Sequence, residues 1–398
     1  MIALAGLLGL HLLGAALLAF AQRAPFTAAL RSTSAVWASL AVLGACALGL
    51  PGVGVLITLA LAAYALRAHG LDSPALPWRA LAVLAVLVLA RPWVPTQWDE
   101  FVWLAKARFE ALGFGAGITA ALDPAQQVVP AGYPPLWPSA IGWLCLGRDS
   151  LQAQVLAGSL LVLLSAATAA QSVLPLLQQA KVSRWWALVL LAAPLVWVHL
   201  RSTYVDLPVG LLGVALLGRL LAPRLTLDAV VLAVVLAGIK DEGVALALSA
   251  TVGAMSVRRS WQTVLPLLAA VVTALTWRLL VSASGVVVFD HALGTPQLGW
   301  LPRFAELLVL DASDVFTWGV FWSVVAGAAV VGVRSPSARP FVAMLAVNVA
   351  IMAGVLIAGP ERVRVFAENG TLLNRLLLQL WPVGLAVVLF SVGPSERT

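Results

Sequence analysis

Two adjacent carboxylates, Asp99 and Glu100, stand where an apolar segment ends, inside the run Gln97-Trp98-Asp99-Glu100-Phe101-Val102-Trp103-Leu104-Ala105-Lys106. The run reads as a helix ending near Leu112-Gly113. On such a helix Lys106 lies nearly two turns beyond Asp99 and on the same side. One carboxylate and one ammonium then face a common cavity, a proton acceptor beside an anion-binding cation. Phe101, Trp103 and Phe109 would anchor the helix at a lipid boundary. The plainer alternative is that both acids end the segment in water and that Lys106 snorkels along the interface.

Three more charged groups interrupt apolar sequence. Lys240-Asp241-Glu242 joins two apolar segments of about 15 residues each, short enough to leave the charges recessed in a water-filled cavity. Arg375 stands just inside an apolar helix that starts near Leu372, where the cost of a bilayer charge calls for a partner. Asp206 precedes Leu207-Pro208 and is equally placed to cap a helix there, with Pro in the first turn. Tyr133-Pro134-Pro135, after Gly132, reads as a rigid turn that shapes a loop.

The rest of the chain decides what medium surrounds these groups. Its 398 residues are 62% hydrophobic and 10% charged, with mean hydropathy +0.99. Soluble domains are about 45–50% apolar and about 25% charged, so the chain is a polytopic membrane protein surrounded by membrane lipids. The net charge of +7 does not point to nucleic acid, because Arg and Lys are scattered singly or in pairs at segment ends. Cys46 and Cys145 have no CxxC spacing and the four histidines form no HExxH pair, so neither a disulfide framework nor a metal site is indicated. Residues 2–21 lack a basic leader and a clear cleavage site, and read as a retained helix rather than a signal peptide. Heavy use of Ala, Leu, Val and Arg with little Lys points to a bacterial gene, hence a multi-pass protein of the bacterial inner membrane.

Apolar segments fall near 2–21, 35–50, 52–67, 79–94, 151–177, 184–200 and 204–221, then 226–239, 243–257, 261–281, 314–333, 341–358 and 372–391. The expected fold is all-α and polytopic, with about 11–13 transmembrane helices. Arg23/Arg31, Arg67/Arg79, Lys181/Arg184, Arg219/Arg224, Arg258/Arg259 and Arg334/Arg339 occupy alternate connections. Placing these in the cytoplasm satisfies the positive-inside bias at each. The opposite, extracytoplasmic face then receives the Asp99 loop, Arg201 to Asp206, Lys240-Asp241-Glu242, the 282–313 loop and Glu361 to Arg375. This requires Leu136 to Leu146 to dip or lie at the interface, which Pro134, Pro135 and Pro138 favour. Asn369-Gly370-Thr371 matches a glycosylation sequon, a coincidence in a bacterial chain.

Taken in order, four stretches carry a family likeness. They are Trp98-Asp99-Glu100 with Ala105-Lys106-Ala107 and Tyr133-Pro134-Pro135, then Ser202-Thr203-Tyr204-Val205-Asp206-Leu207-Pro208. Gly238-Ile239-Lys240-Asp241-Glu242-Gly243 and Asn374-Arg375-Leu376-Leu377-Leu378-Gln379-Leu380-Trp381-Pro382 follow. Together they resemble the GT-C glycosyltransferases, polytopic enzymes that use polyprenyl-phosphate-linked sugars. Val205 before Asp206, and Asp241 where the family pattern has Asn, depart from it. The resemblance covers roughly residues 79–382. It implies a GT-C-like catalytic domain over 79–398, with an outer loop at 95–150 carrying an interfacial helix. The helices of 1–78 keep no assigned role.

What the resemblance implies is transfer of a sugar from a polyprenyl-phosphate donor to an envelope glycolipid, polysaccharide or protein acceptor on the extracytoplasmic face. Asp99 would be the catalytic base and Glu100 an auxiliary or metal-directed acid, which leaves a divalent cation open. Lys106, Lys240 and Arg375 would bind phosphate, with Tyr133, Asp206 and Glu242 completing the substrate-binding set. The chemistry suits these residue types. A sugar leaving from a lipid phosphate departs as an anion that cations stabilise. The attacking hydroxyl needs one placed carboxylate, and an oxocarbenium-like transition state also favours one nearby. The competing reading is a secondary transporter or lipid flippase, since short segments around Lys240-Asp241-Glu242 resemble interrupted helices at a midplane site. Against it, no ionisable group falls clearly mid-span and no repeat is present. A non-catalytic scaffold would have no use for two acids beside a lipid-facing helix.

Overall fold

Long apolar runs in this chain fold as helices because, inside lipid, a helix satisfies every backbone polar group within its own segment. A computed structural model describes residues 2–66, 82, 85, 86, 88, 94, 95, 98–126, 132–146, 148–182, 193–258, 260–287 and 294–391. The first helices are α1 Ile2–Gln22, α2 Phe26–Leu30, α3 Ser34–Ala47 and α4 Val53–Leu66. Around the outer loop come α5 Trp98–Arg108, α6 Ala116–Ala121 and α7 Leu136–Leu144. Then follow α8 Leu151–Gln179, α9 Pro194–Leu200, α10 Asp206–Leu221, α11 Leu227–Ile239, α12 Glu242–Met255 and α13 Leu265–Ser284. The last are α14 Trp300–Ser313, α15 Val315–Trp318, α16 Phe321–Gly332, α17 Arg339–Ala358, α18 Glu361–Glu368 and α19 Thr371–Ser391. No strand occurs among the described residues.

Five helical segments are long and apolar enough to cross a membrane: 2–22, 151–179, 261–284, 339–358 and 371–391. Five shorter apolar helices, including α11 and α12, accompany them. Leu4, Leu8 and Leu12 of α1, and Leu268, Leu275 and Leu279 of α13, are exposed at helical spacing. Such apolar ridges are what a bilayer covers. The protein is therefore an all-helical membrane protein. Of the expected segments, 79–94 lies almost wholly outside the described residues and 184–200 is described only from Ala193. The expected helix at 314–333 is broken. Asp314 caps the single turn of α15 by accepting from the Phe316 N–H, and Gly319, at φ 58°, ends it before α16 begins.

The hairpin of α10 and α11 occupies the centre, with nearly every residue buried. α10 packs against α8, α12 and α19, and α11 against α3 and α13. Each end of the hairpin carries a buried acid. At one end Asp228 lies 3.8 Å from Arg219 and accepts from the Ser32 hydroxyl at 3.1 Å. Beside it, Gln171 accepts from the Thr33 N–H (3.0 Å) and hydroxyl (2.8 Å) and donates to the Arg31 carbonyl (2.9 Å). These bonds tie the α2–α3 connection to α8 and α11, so residues 2–66 share one core with the rest. The boundary expected at 78 lies outside the described residues. At the other end of the hairpin stand Asp206 and Lys240.

α7 has nine residues, mostly buried, and spans about 13.5 Å, less than half the thickness of a hydrocarbon core. It does not cross; it packs under the outer loop, where the Trp137 indole donates to the Thr203 carbonyl at 3.0 Å. Two glycines set helix spacing near the site. A Cβ on Gly243 would collide with the Leu236 carbonyl, and its absence lets α12 turn back tightly on α11. Gly210 faces the Gln379 carbonyl in the same way, bringing α10 and α19 together one turn from Asp206. A backbone carbonyl cannot rotate aside. Gly210→Ala is therefore expected to lower stability by about 1–3 kcal/mol, read as a lower unfolding temperature in detergent. Unchanged melting would contradict the close approach.

Candidate functional site

Asp206 is the first residue of α10 and is fully buried. The cap expected of it is absent: Val205 holds the N-cap position and no side-chain capping bond forms. Its carboxylate is instead used up by charge. Oδ1 accepts from the Lys240 ammonium and from the Gln379 amide at 2.5 Å, and Oδ2 from Arg375 Nε at 3.1 Å. Gln379 follows Arg375 by one turn of α19, so both reach the same acid across the Gly210 contact. Lys240 also meets Glu242 Oε1 at 2.9 Å, and Arg278 of α13 pairs with Asp241 at 2.8 Å. The recessed charges expected at 240–242 are present, but they are filled by ion pairs.

Burial bears on four of the expected contact roles. Asp206 and Lys240 are 0% and 1% exposed, so neither can touch a substrate without breaking the pairs that hold it. Glu100 is likewise buried, and its Oε2 accepts from the Thr203 N–H at 2.9 Å and hydroxyl at 3.0 Å. That fastens α5 to the loop ahead of α10, a positioning contact for Glu100. Lys106 does not open onto a cavity with Asp99. It is buried, with its ammonium 5.4 Å from the Trp103 ring centre, and Trp103 in turn meets Tyr133 edge-on at 6.3 Å.

Asp99, Tyr133, Glu242 and Arg375 remain partly accessible. Asp99 lies close enough to act on the charge of His199, Tyr204 and Arg375. Burial, with Glu242, Asp241 and Asp206 nearby, pushes the Tyr133 phenol well above its usual range against the pull of Arg375. The Arg375 guanidinium lies 5.1 Å over the Tyr204 ring, which packs on His199 at 5.3 Å. Next to it opens a cavity of about 310 Å³ lined by Leu195, His199, Asn369, Thr371, Asn374 and Arg375. A fixed guanidinium, a nearby carboxylate and neutral hydrogen-bonding groups can together bind an anion and accept a proton beside it.

Several residues that shape the site were not singled out from sequence. Thr203, Tyr204, Asn374 and Gln379 fall inside the motif stretches, but type and spacing gave no reason to choose them over their neighbours. His199 carries no local signal. Glu110 is also missed. Its carboxylate accepts from the Gly115 and Gly117 N–H groups, the Ser139 hydroxyl and the Trp143 indole at 2.9–3.1 Å, fixing the loop after α5. The alternating Gly113, Gly115 and Gly117 are its only trace in the sequence. Among the described residues no three His, Cys, Asp or Glu side chains are grouped to hold a metal ion. With Glu100 occupied by Thr203, the described residues do not fit a divalent cation.

Lys106 gives the site a pH signature. Burial pushes its ammonium down from 10.5 to about 7. Between those values the unfolded chain holds the proton that the folded protein has released, so stability rises with pH across the window. Lys106→Met is expected to be more stable than wild type at pH 6 and to flatten the rise between pH 7 and pH 10. Thermal unfolding across that range checks both, and a slope equal to wild type contradicts them.

Set beside known protein families, characterised proteins and solved structures, the chain matches none, so the functional reading rests on the chemistry of the site.

Proposed function

We propose that this protein is an integral membrane glycosyltransferase of GT-C type. It moves a sugar from a polyprenyl-phosphate donor to an envelope glycolipid, polysaccharide or protein on the extracytoplasmic face of a bacterial inner membrane. One observation carries the reading. Arg375 is held at Nε by Asp206 and on its face by Tyr204, while its terminal nitrogens make no hydrogen bond among the described residues, beside a cavity and within reach of Asp99.

The acceptor hydroxyl oxygen attacks the anomeric carbon as the bond from that carbon to the phosphate oxygen breaks. The electron pair leaves with the lipid phosphate, which Arg375 neutralises. Asp99 takes the acceptor proton. Glu100, Asp206, Lys240 and Gln379 hold these two groups in place and touch neither substrate. Against transport, the buried charges among the described residues pair with one another at helix ends.

Asp99→Asn preserves shape and hydrogen-bonding oxygen but removes the base. It is expected to insert, fold and bind donor lipid, yet transfer sugar at least about 100-fold more slowly. Transfer near the wild-type rate removes Asp99 from the mechanism. Glu100→Gln should act instead through stability, because its carboxylate serves Thr203.

Orientation is checked separately. After replacement of Cys46 and Cys145, single cysteines at Gln126 and Glu306 should react with an impermeant thiol reagent from outside intact cells. Cysteines at Arg224 and Ser337 should not. Labelling of both sets from one side contradicts the topology.

A further inference from the structure

His199 stands in the last turn of α9 and is fixed from two sides. The Ser202 hydroxyl donates to the His199 carbonyl at 3.2 Å and accepts from the Tyr204 N–H at 3.2 Å. The His199 ring then packs on the Tyr204 ring at 5.3 Å, and the same Tyr204 ring carries the Arg375 guanidinium at 5.1 Å. One aromatic ring therefore sets the places of an imidazole and a guanidinium that line the same cavity.

The imidazole is unspent. His199 is 7% exposed, its Nδ1 is enclosed without a partner, and Nε2 makes no hydrogen bond among the described residues. Asp99, Glu100 and Asp206 act on the ring by charge, and Arg375 opposes them, but none of the three acids accepts a hydrogen bond from it among the described residues. An enclosed N–H with no acceptor is the arrangement that folded proteins avoid most. This places the proton of the neutral ring on Nε2 and makes that nitrogen a donor.

Phosphate chemistry supplies the use for such a donor. A polyprenyl-phosphate sugar is a phosphodiester with two free oxygens, and a guanidinium fork matches two. When the bond to the anomeric carbon breaks, the bridging oxygen keeps the electron pair and becomes a third acceptor. Charge growing there calls for a further donor already in place. Resting on the glycosyltransferase reading, we infer that His199 is that donor, its Nε2–H hydrogen-bonding the phosphate oxygen released from the sugar. No proton is transferred, and the imidazole stays neutral. His199 thus serves departure of the phosphate more than capture of the donor lipid.

Two probes on the purified full-length protein in detergent separate these roles. Geranyl phosphate has the third oxygen free, whereas in geranyl methyl phosphate it is blocked. His199→Phe keeps a ring on Tyr204 and removes both nitrogens. It is expected to bind geranyl phosphate about tenfold more weakly than wild type and geranyl methyl phosphate unchanged. His199→Gln, whose amide nitrogen reaches the place of Nε2, should stay within about threefold of wild type for both. In the wild-type protein, 15N NMR of the imidazole should show the proton on Nε2, with a signal that moves on adding geranyl phosphate. Full affinity of His199→Phe for geranyl phosphate, equal loss for both probes, or a proton on Nδ1 overturns the inference and leaves the glycosyltransferase reading standing. Inorganic phosphate, which offers the same oxygens without a lipid, should bind more weakly than geranyl phosphate. Equal binding assigns a soluble phosphate and overturns the inference. Failure of wild type to bind either geranyl lipid overturns the glycosyltransferase reading and this inference with it.

Discussion

A carboxylate with no water around it must be matched by charge, and Asp206 is matched by Lys240, Arg375 and the Gln379 amide. Removing an ion from water costs several kcal/mol even after relaxation, and only good geometry with further hydrogen bonds recovers it. The partners come from the start of α10, the end of α11 and the first turns of α19. Three helices must therefore meet at one height and one rotation. The fold is built to let them. Gly210 admits the α19 backbone, Gly243 tightens the turn after Lys240, and the hairpin of α10 and α11 is enclosed on all sides. The arrangement is a requirement of charge more than a source of stability, since buried ion pairs seldom improve on apolar packing.

What this requirement delivers is a rigid cation at an open edge. Arg375 is tied at Nε and stacked on Tyr204, so little rotamer freedom is left to lose when an anion arrives. The carboxylate that faces the same region is positioned from a different direction. Glu100 locks α5 to Thr203, and Glu110 locks the loop beyond α5 through four donors, so Asp99 is held on a short helix fixed at both ends. Groups placed in this way rely on neighbours that are themselves buried. The residues 2–66 join this frame from the far end of the bundle, through Ser32, Thr33 and Gln171.

Much of the architecture was legible in the sequence because its causes are local. Apolar length gave the helices, and the prolines around 134–138 kept α7 from crossing. The demand that Arg375 find a partner followed from its place in an apolar helix, and Asp206 met it. Direction of contact was not legible. Asp99 and Glu100 are adjacent and chemically alike, and only the helix rotation set by Thr203 decides which is buried. Asp206 fits the pattern of a helix cap, and nothing in its neighbours reveals that two cations from distant helices converge on it. Lys106 shows the same limit, since its spacing from Asp99 was right while its side chain folds onto Trp103. The broken helix at 314–333 had its cause in view, an Asp and a Gly at cap positions, but apolar composition outweighed them.

The proposed anion site depends on Asp206 to position Arg375, although Asp206 is itself negative and buried. Affinity of the folded Asp206→Asn variant for geranyl phosphate tests it most directly. Coulomb's law alone says that deleting a negative charge beside an anion site tightens binding. Positioning says the reverse, because Arg375 and Lys240 lose the acid that fixes them. Binding is therefore expected to weaken by about tenfold or more, near 1.4 kcal/mol. Binding equal to wild type, or tighter, would contradict it.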